Sequence, residues 1–262
     1  MQLIYPAAAP PSPIGPVAQG SAGVAELARL YTYPPLGDRP WVRANMVSSA
    51  DGAATVAGRS AGLSSEGDRQ VFSILRSLAD VIMVGAGTAR AEKYRPMTPD
   101  EAWPELRTGR PPTTPIAVLT RRLDLDLDSP LLTQSPDSAR TIVLTTGAAP
   151  DTAQAAVTKH ADLVVTDAEM IDPAAAVAAL AGRGHRRILL EGGPHLLGQV
   201  AAAGLLDELC LTVSPLLAGG QAGRIIGSGV MGGGQIPPDR AGLRLAHVIA
   251  DDGFLLCRYV RQ

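Results

Sequence analysis

The sequence predicts an α/β fold: a mostly parallel central sheet with helices on both faces and an antiparallel strand pair at its C-terminal edge. Three observations carry this. From residue 41 to residue 204, short apolar runs alternate with stretches of helical periodicity. Several of those runs, at 81–84, 116–119 and 141–145, lack the polar alternation of a strand with one wet face, as strands buried on both sides do. Beyond Gly204 three further strand-like runs follow with no helical stretch between them, which suits antiparallel pairing at one edge.

The elements follow in order. Residues 1–40 hold eight of the 22 prolines. Proline fixes φ and removes a donor, so this proline-rich N-terminal arm is expected to be mostly irregular. Val24, Leu27 and Ala28 at helical spacing allow one short helix over residues 23–30. The folded domain is expected to occupy residues 41–262, opening with a strand at 41–47. In the helix at 66–79, Val71, Ile74, Leu75 and Leu78 make one apolar stripe. Ser65 is its N-cap, and Glu66 and Asp68 complement the dipole in its first turn.

After the strands at 81–84, 116–119 and 141–145 come a helix at 151–159 and a strand at 162–165. A helix at 173–181 opens on proline, where a missing N–H costs nothing. A strand at 187–190 leads into a helix at 194–203, ended by Gly204. Strands at 209–213, 243–249 and 254–260 close the chain. Two long loops remain, at 92–115 with six prolines and at 215–238 rich in glycine. Loops of that length inside a compact domain usually serve function or move.

Composition narrows the function classes. The 262 residues are 46% hydrophobic and 18% charged, which fits a globular chain. A net charge of −2 gives no overall basic field for nucleic acid or an anionic membrane. No apolar run reaches the roughly 20 residues of a membrane helix. The N-terminus lacks the basic-then-apolar order of a secretory signal, so a soluble, cytoplasmic protein is expected. Cys210 and Cys257 lie in apolar runs, and with four scattered histidines they offer neither zinc spacing nor a disulfide framework. No metal is expected.

Four segments carry candidate chemistry. Ser48, Ser49, Ala50, Asp51 and Gly52 follow the first strand, and open α/β sheets bind ligands beyond the carboxyl ends of their strands. Asp51 there can hold a polar ring edge or relay a proton, though Asp-Gly is also ordinary turn chemistry and spacing alone favours the turn. Gly85, Ala86, Gly87 and Thr88 follow a second strand and let a backbone approach a diphosphate. Arg90 stands where the dinucleotide fingerprint needs its third glycine, so a tight turn explains them about as well. Glu191, Gly192, Gly193 and Pro194 join a strand to a helix, with proline preset for the first helical turn. A charge ending an apolar strand is costly without a task, which favours the functional reading of Glu191. Thr120, Arg121 and Arg122 follow another strand, and the arginines suit a 2′-phosphate or a solvated loop. His195 is the one histidine beside these turns and points to a cofactor contact rather than acid–base work.

Taken in order, these motifs resemble one family. Asp51-Gly52 follows the first strand, a helix ends in Leu75-Arg76, and Ala79 to Thr88 reads ADVIMVGAGT. Leu189 to Pro194 reads LLEGGP, Leu206 to Leu209 reads LDEL, and Ser214-Pro215 precedes the glycine-rich loop. The chain is similar to the reductase domain of the bifunctional riboflavin-biosynthesis deaminase/reductase, a dihydrofolate-reductase-like fold. The resemblance covers roughly residues 41–260. It implies reduction of the ribosyl group of 5-amino-6-(5-phosphoribosylamino)uracil to ribityl with NADPH, in a homodimer.

The resemblance also implies roles. Asp51 and Glu191 serve the reaction in the substrate pocket, and Asn45, Ser60 and Arg76 contact substrate, Arg76 through its phosphate. Val47, Ser48, Gly85, Gly87, Thr88 and Glu92 lie along the cofactor, Glu92 at a position usually aspartate. Thr120 and Arg121 meet one end of NADPH. Gly192, Gly193, Pro194, His195, Leu196 and Leu197 wrap its diphosphate, within a stretch reaching residue 199. The family's zinc deaminase motifs are absent. Asn45 replaces a lysine and Gly62 a tryptophan, changes that alter pocket charge and volume. They leave room for a second reading, reduction of a dihydropterin such as dihydrofolate. A third is an NADPH-binding protein without catalysis.

Overall fold

The computed structural model describes residues 1–6, 12–166, 171–227, 236 and 242–262. Eleven strands among them form one sheet. Its centre is parallel. Strand β3 (Trp41–Ser49) lies between β8 (Arg187–Leu190) and β9 (Glu208–Ser214). Beyond β8 follow β4 (Val81–Gly85), β5 (Ile116–Leu119), β6 (Ile142–Thr146) and β7 (Asp162–Thr166), all parallel. On the other flank β11 (Phe254–Arg261) pairs antiparallel with β9, and β10 (Leu243–Asp251) with β11. This is the mixed sheet with an antiparallel edge that the sequence predicts.

Alternate residues of the central strands face opposite layers, as a period of two requires. Ile82, Val84, Ile116 and Val118 pack with Val71, Ile74 and Leu75 of α2 (Glu66–Leu78). Val81, Met83, Ala117 and Leu119 pack on the other face with Val177 and Leu180 of α6 (Pro173–Gly182) and Leu197 and Val200 of α7 (Pro194–Ala202). Ser65 caps α2 through its hydroxyl, which accepts from Asp68 N. On the α2 face, α5 (Asp151–Thr158) buries Val157 against Val143. Two short helices stand where the sequence showed no period long enough to read: α3 (Ala86–Ala91), directly after β4, and α4 (Pro130–Thr133).

The N-terminal arm differs from the irregular segment expected. Strand β1 (Gln2–Tyr5) pairs antiparallel with β10, and β2 (Ser12–Pro13) pairs with β1. Helix α1 (Ala22–Leu30) buries Val24 and Leu27 completely. A buried ion cluster fixes its end. Arg43, wholly buried in β3, donates to Tyr31 O at 2.7 Å, and Arg258 of β11 donates to Leu30 O at 2.6 Å. Glu208, also wholly buried, lies between them, 2.6 Å from Arg43 Nε and 2.8 Å from Arg258 Nε. Prolines thus exclude regular structure only locally. Residues 7–11, with Pro10 and Pro11, lie outside the described residues, as does most of the predicted 215–238 loop beyond residue 227. No helix described is long and apolar enough to cross a membrane.

Candidate active site

The carboxyl ends of β3, β8 and β4 lie side by side, so the turns that follow them meet. They open on a cleft of about 630 Å³, within the range of small-molecule sites. Ten of the candidate residues line it: Asn45, Val47, Ser60, Arg76, Gly87, Thr88, Glu92, Glu191, Gly193 and Pro194.

Glu191 directly follows β8 and is 6% exposed. Arg76, on the last turn of α2, grips it with both arms of its guanidinium. Nε donates to Oε1 at 2.7 Å and Nη2 to Oε2 at 2.6 Å. The Tyr94 hydroxyl adds a third bond, to Oε2 at 2.7 Å. Arg76 also stacks on Phe72, 4.2 Å from the ring centroid. Two parallel charge-assisted bonds hold a carboxylate in one orientation. Burial opposes the charge of Arg76, but the Glu191 carboxylate outweighs it and raises the arginine's pKa. The Arg76 Nε and Nη2 donors are therefore engaged by Glu191, while the residue still lines the cleft.

Across the cleft, Glu92 Oε1 accepts from both Ser60 N at 2.9 Å and Ser60 Oγ at 3.0 Å. Asp68 is fixed as well: Ser64 donates to it at 2.5 Å and Thr212 at 2.6 Å.

The glycine turns supply the cradle. Gly85 N donates to Gly192 O at 2.9 Å, which locks the β4 and β8 turns together. The Gly192–Gly193 peptide bond is cis, and Gly192 has φ +87°, a region a side chain would strain. A Cβ on Gly193 would meet Thr88 Oγ1 at 2.3 Å, while one on Gly87 would meet nothing within 4 Å. Helix α7 starts at Pro194 without a capping side chain. Its first amides, at His195 and Leu196, are therefore left for a ligand or water, as at other helix starts. These features fit a dinucleotide diphosphate laid across Gly87 and Gly193.

The remaining candidates lie elsewhere. Leu196 and Leu197 are buried, so only their backbone is available to a ligand. His195 is exposed and packs its ring against Gly227. Ser48 is buried within β3 and Thr120 just past β5, and neither lines the cleft. Arg121 is exposed, without a hydrogen bond or ion pair from its side chain to a described residue.

Asp51 also lies outside the cleft lining. It accepts from Ala218 N at 3.0 Å and Gly219 N at 2.7 Å, and the Ser49 hydroxyl donates to it. These donors, the Ser49 hydroxyl foremost, hold its pKa down to about 2. The carboxylate fastens the β3 turn to the glycine-rich loop.

Sequence reasoning missed Tyr94, Phe72 and Asp68 as cleft residues. Phe72 and Asp68 read as members of a helix, and Tyr94 fell in a proline-rich loop. The signal available was Tyr94 itself, one of few aromatic side chains, six residues after the glycine turn motif ends.

A profile of the RibD C-terminal domain matches residues 40–252. The 2,5-diamino-6-ribosylamino-4(3H)-pyrimidinone 5′-phosphate reductase of Archaeoglobus fulgidus is 31% identical over 186 residues, 70% of this chain and 84% of that protein. The protein of the same name from Methanothermobacter thermautotrophicus is 29% identical over 195 residues, 73% of this chain and 85% of that protein. The riboflavin biosynthesis protein RibD of Mycobacterium tuberculosis is 30% identical over 182 residues, 69% of this chain but 44% of its own length. Among solved structures, a pyrimidine reductase-like protein from Corynebacterium diphtheriae shares the fold, with TM-score 0.77 at 24% identity, over 89% of this chain and 97% of that one. The matched span takes in the β3, β4 and β8 turns and Glu191, and the chain belongs to the RibD C-terminal domain family.

Proposed function

We propose that this chain is an NADPH-dependent reductase that converts the ribosyl group of a phosphoribosylaminopyrimidine, such as 5-amino-6-(5-phosphoribosylamino)uracil, to ribityl. The observation that carries the reading is the position of Glu191. A buried carboxylate fixed by three donors stands two residues from the Gly193 turn, inside one cleft. Family membership and the activities named for the archaeal relatives support the same reaction class.

NADPH supplies the hydride when bound. Gly87, Thr88, Gly193 and the first amides of α7 would hold its diphosphate, Val47 would lie along it, and Arg121 would meet its 2′-phosphate. Glu191 holds the pyrimidine by a polar edge, and Asn45 and Ser60 line the same pocket. Fixing the ring would orient the sugar within the cleft, and such positioning supplies much of the rate. Asp51 contributes by fastening the 216–219 loop. The homodimer and cytosolic setting implied by the resemblance belong to this proposal.

Mixing the purified chain with the deaminated precursor and NADPH tests it. Loss of reduced-nicotinamide absorbance, dependent on the pyrimidine, is the expected result. NADPH bound without turnover on either the precursor or its non-deaminated form would leave a binding protein instead.

A further inference from the structure

An ionised carboxylate has about four acceptor positions, two on each oxygen. The carboxylates lining the cleft differ in what the protein leaves open. Glu191 is held by Arg76 and Tyr94, and Glu101 by Arg95. Glu92 spends both positions of Oε1 on the Ser60 amide and hydroxyl. Asp68 is placed differently. The Thr212 hydroxyl donates to its Oδ1 at 2.6 Å and the Ser64 hydroxyl to its Oδ2 at 2.5 Å, so one position stays open on each oxygen. Among the described residues no cation pairs with it.

Both hydroxyls are fixed by the fold. Thr212 is 3% exposed on β9 and lies opposite Val47 of β3, itself a cleft residue. Ser64 precedes the Ser65 cap of α2, and Asp68 N donates to that cap. Asp68, Phe72 and Arg76 recur every four residues along α2, on one face, and all line the cleft. Eight residues of helix separate Asp68 from the arginine that grips Glu191, about 12 Å of axis.

We propose that Asp68 is a substrate-binding residue that takes the 2′,3′-diol of the ribosyl group, one hydroxyl on each carboxylate oxygen. The inference rests on the reductase reading above, in which Glu191 holds the pyrimidine. With the ring held at the Arg76 end of α2, its sugar substituent runs toward the Asp68 end, and the hydroxyls nearest the ring arrive first. Two hydroxyls on adjacent carbons match two open acceptors on one carboxylate. The phosphate lies elsewhere, because an ionised carboxylate offers it no donor and repels its charge. A pyrimidine whose sugar lacks one of the two hydroxyls binds with one charge-assisted bond fewer, and the site discriminates against it.

Calorimetry on the full chain in saturating NADP⁺ tests this with the ribityl product and with the same pyrimidine lacking the sugar phosphate. Asp68→Asn keeps the size of the side chain and turns one oxygen into a donor. Its Kd for the product is expected to rise about tenfold or more, while those for the bare pyrimidine and for NADP⁺ hold within about twofold. An equal loss for the bare pyrimidine would make Asp68 a support of the fold or of the ring. A loss for NADP⁺ would assign its acceptors to the cofactor. Either result, or an unchanged Kd for the product, overturns the proposal. The wild type gives a second measurement that needs no variant: the 2′-deoxy product is expected to bind about tenfold more weakly than the product, and equal affinity overturns the diol. A wild type that binds neither the product nor the bare pyrimidine removes the reductase reading itself, and this inference with it.

Discussion

Gly193 stands so close to Thr88 that a Cβ built on it would lie 2.3 Å from the threonine Oγ1. The contact joins the start of α7 to the first turn of α3 and sets the width of the cradle between them. Gly193→Ala should force the two turns apart. The expected result is a lower unfolding midpoint and a rise of about tenfold or more in the Kd for NADPH, read by calorimetry. Thr88→Ala removes Oγ1 and leaves only the Cβ contact at 3.7 Å. The double variant should therefore recover stability relative to Gly193→Ala, a non-additivity that distant sites do not show.

Glu191→Gln should damage both fold and turnover. It leaves the Arg76 guanidinium, 15% exposed, without its counter-charge. Breaking a buried pair costs about 3–5 kcal/mol, and the partial exposure of Arg76 places this one near ~3 kcal/mol. Turnover should fall about a hundredfold because the pyrimidine loses its fixed acceptor. The Kd for NADPH should hold within about twofold, and a large loss of cofactor affinity would remove Glu191 from the substrate role.

Arg121→Ala should separate the two nicotinamide cofactors. The side chain is exposed and unengaged by the described residues, as a waiting phosphate ligand would be. A lost charge-assisted contact of about 1.5–3 kcal/mol corresponds to roughly a tenfold or greater rise in KM for NADPH. The KM for NADH should not change. Equal effects on both cofactors would show that Arg121 does not meet the 2′-phosphate.

Asp51→Ala should act on the loop before the chemistry. It frees the Ala218 and Gly219 amides and cuts the tie between the β3 turn and the glycine-rich segment. Faster proteolytic cleavage near residues 216–223 is expected, with a smaller loss of kcat than in Glu191→Gln. The folded carboxyl titrates at about 2, below the ordinary value of 3.8, so the tie persists through pH 4 and loosens only as pH falls toward 2.

His247 should make stability depend on pH. Its imidazole is 4% exposed and edge-on to Tyr31, 4.8 Å between centroids. Burial, aided by the charge of Arg258, pushes its pKa down from 6.5 to about 4. As pH falls, the unfolded chain takes up this proton first. Stability from this group is full above about pH 6.5 and is lost progressively toward pH 4, by about 3 kcal/mol. His247→Phe should flatten that part of the unfolding profile, measured by denaturant titration at several pH values.

The order of strands and helices was legible in the chain because hydrophobic period follows backbone geometry, which is local. The glycine turns near 87 and 193 were legible for the same reason, since each needs only its own neighbours to form. The proline-rich arm misled because a proline reports its own φ and missing donor and says nothing of Leu3 facing Ile249 across 246 positions of sequence. The active-site pairings lay equally out of reach. Arg76 and Glu191 are 115 residues apart, and Tyr94 and Glu191 are 97 apart. Their types announced charge and aromatic bulk, while strand order alone brought α2, the segment after α3 and the tip of β8 to one wall. Tertiary structure also set Arg76 against Glu191 and Asp51 against the Ala218 and Gly219 amides. A charged group in a folded chain goes to the nearest partner that offsets its desolvation, and which partner is nearest is a property of packing, not of sequence.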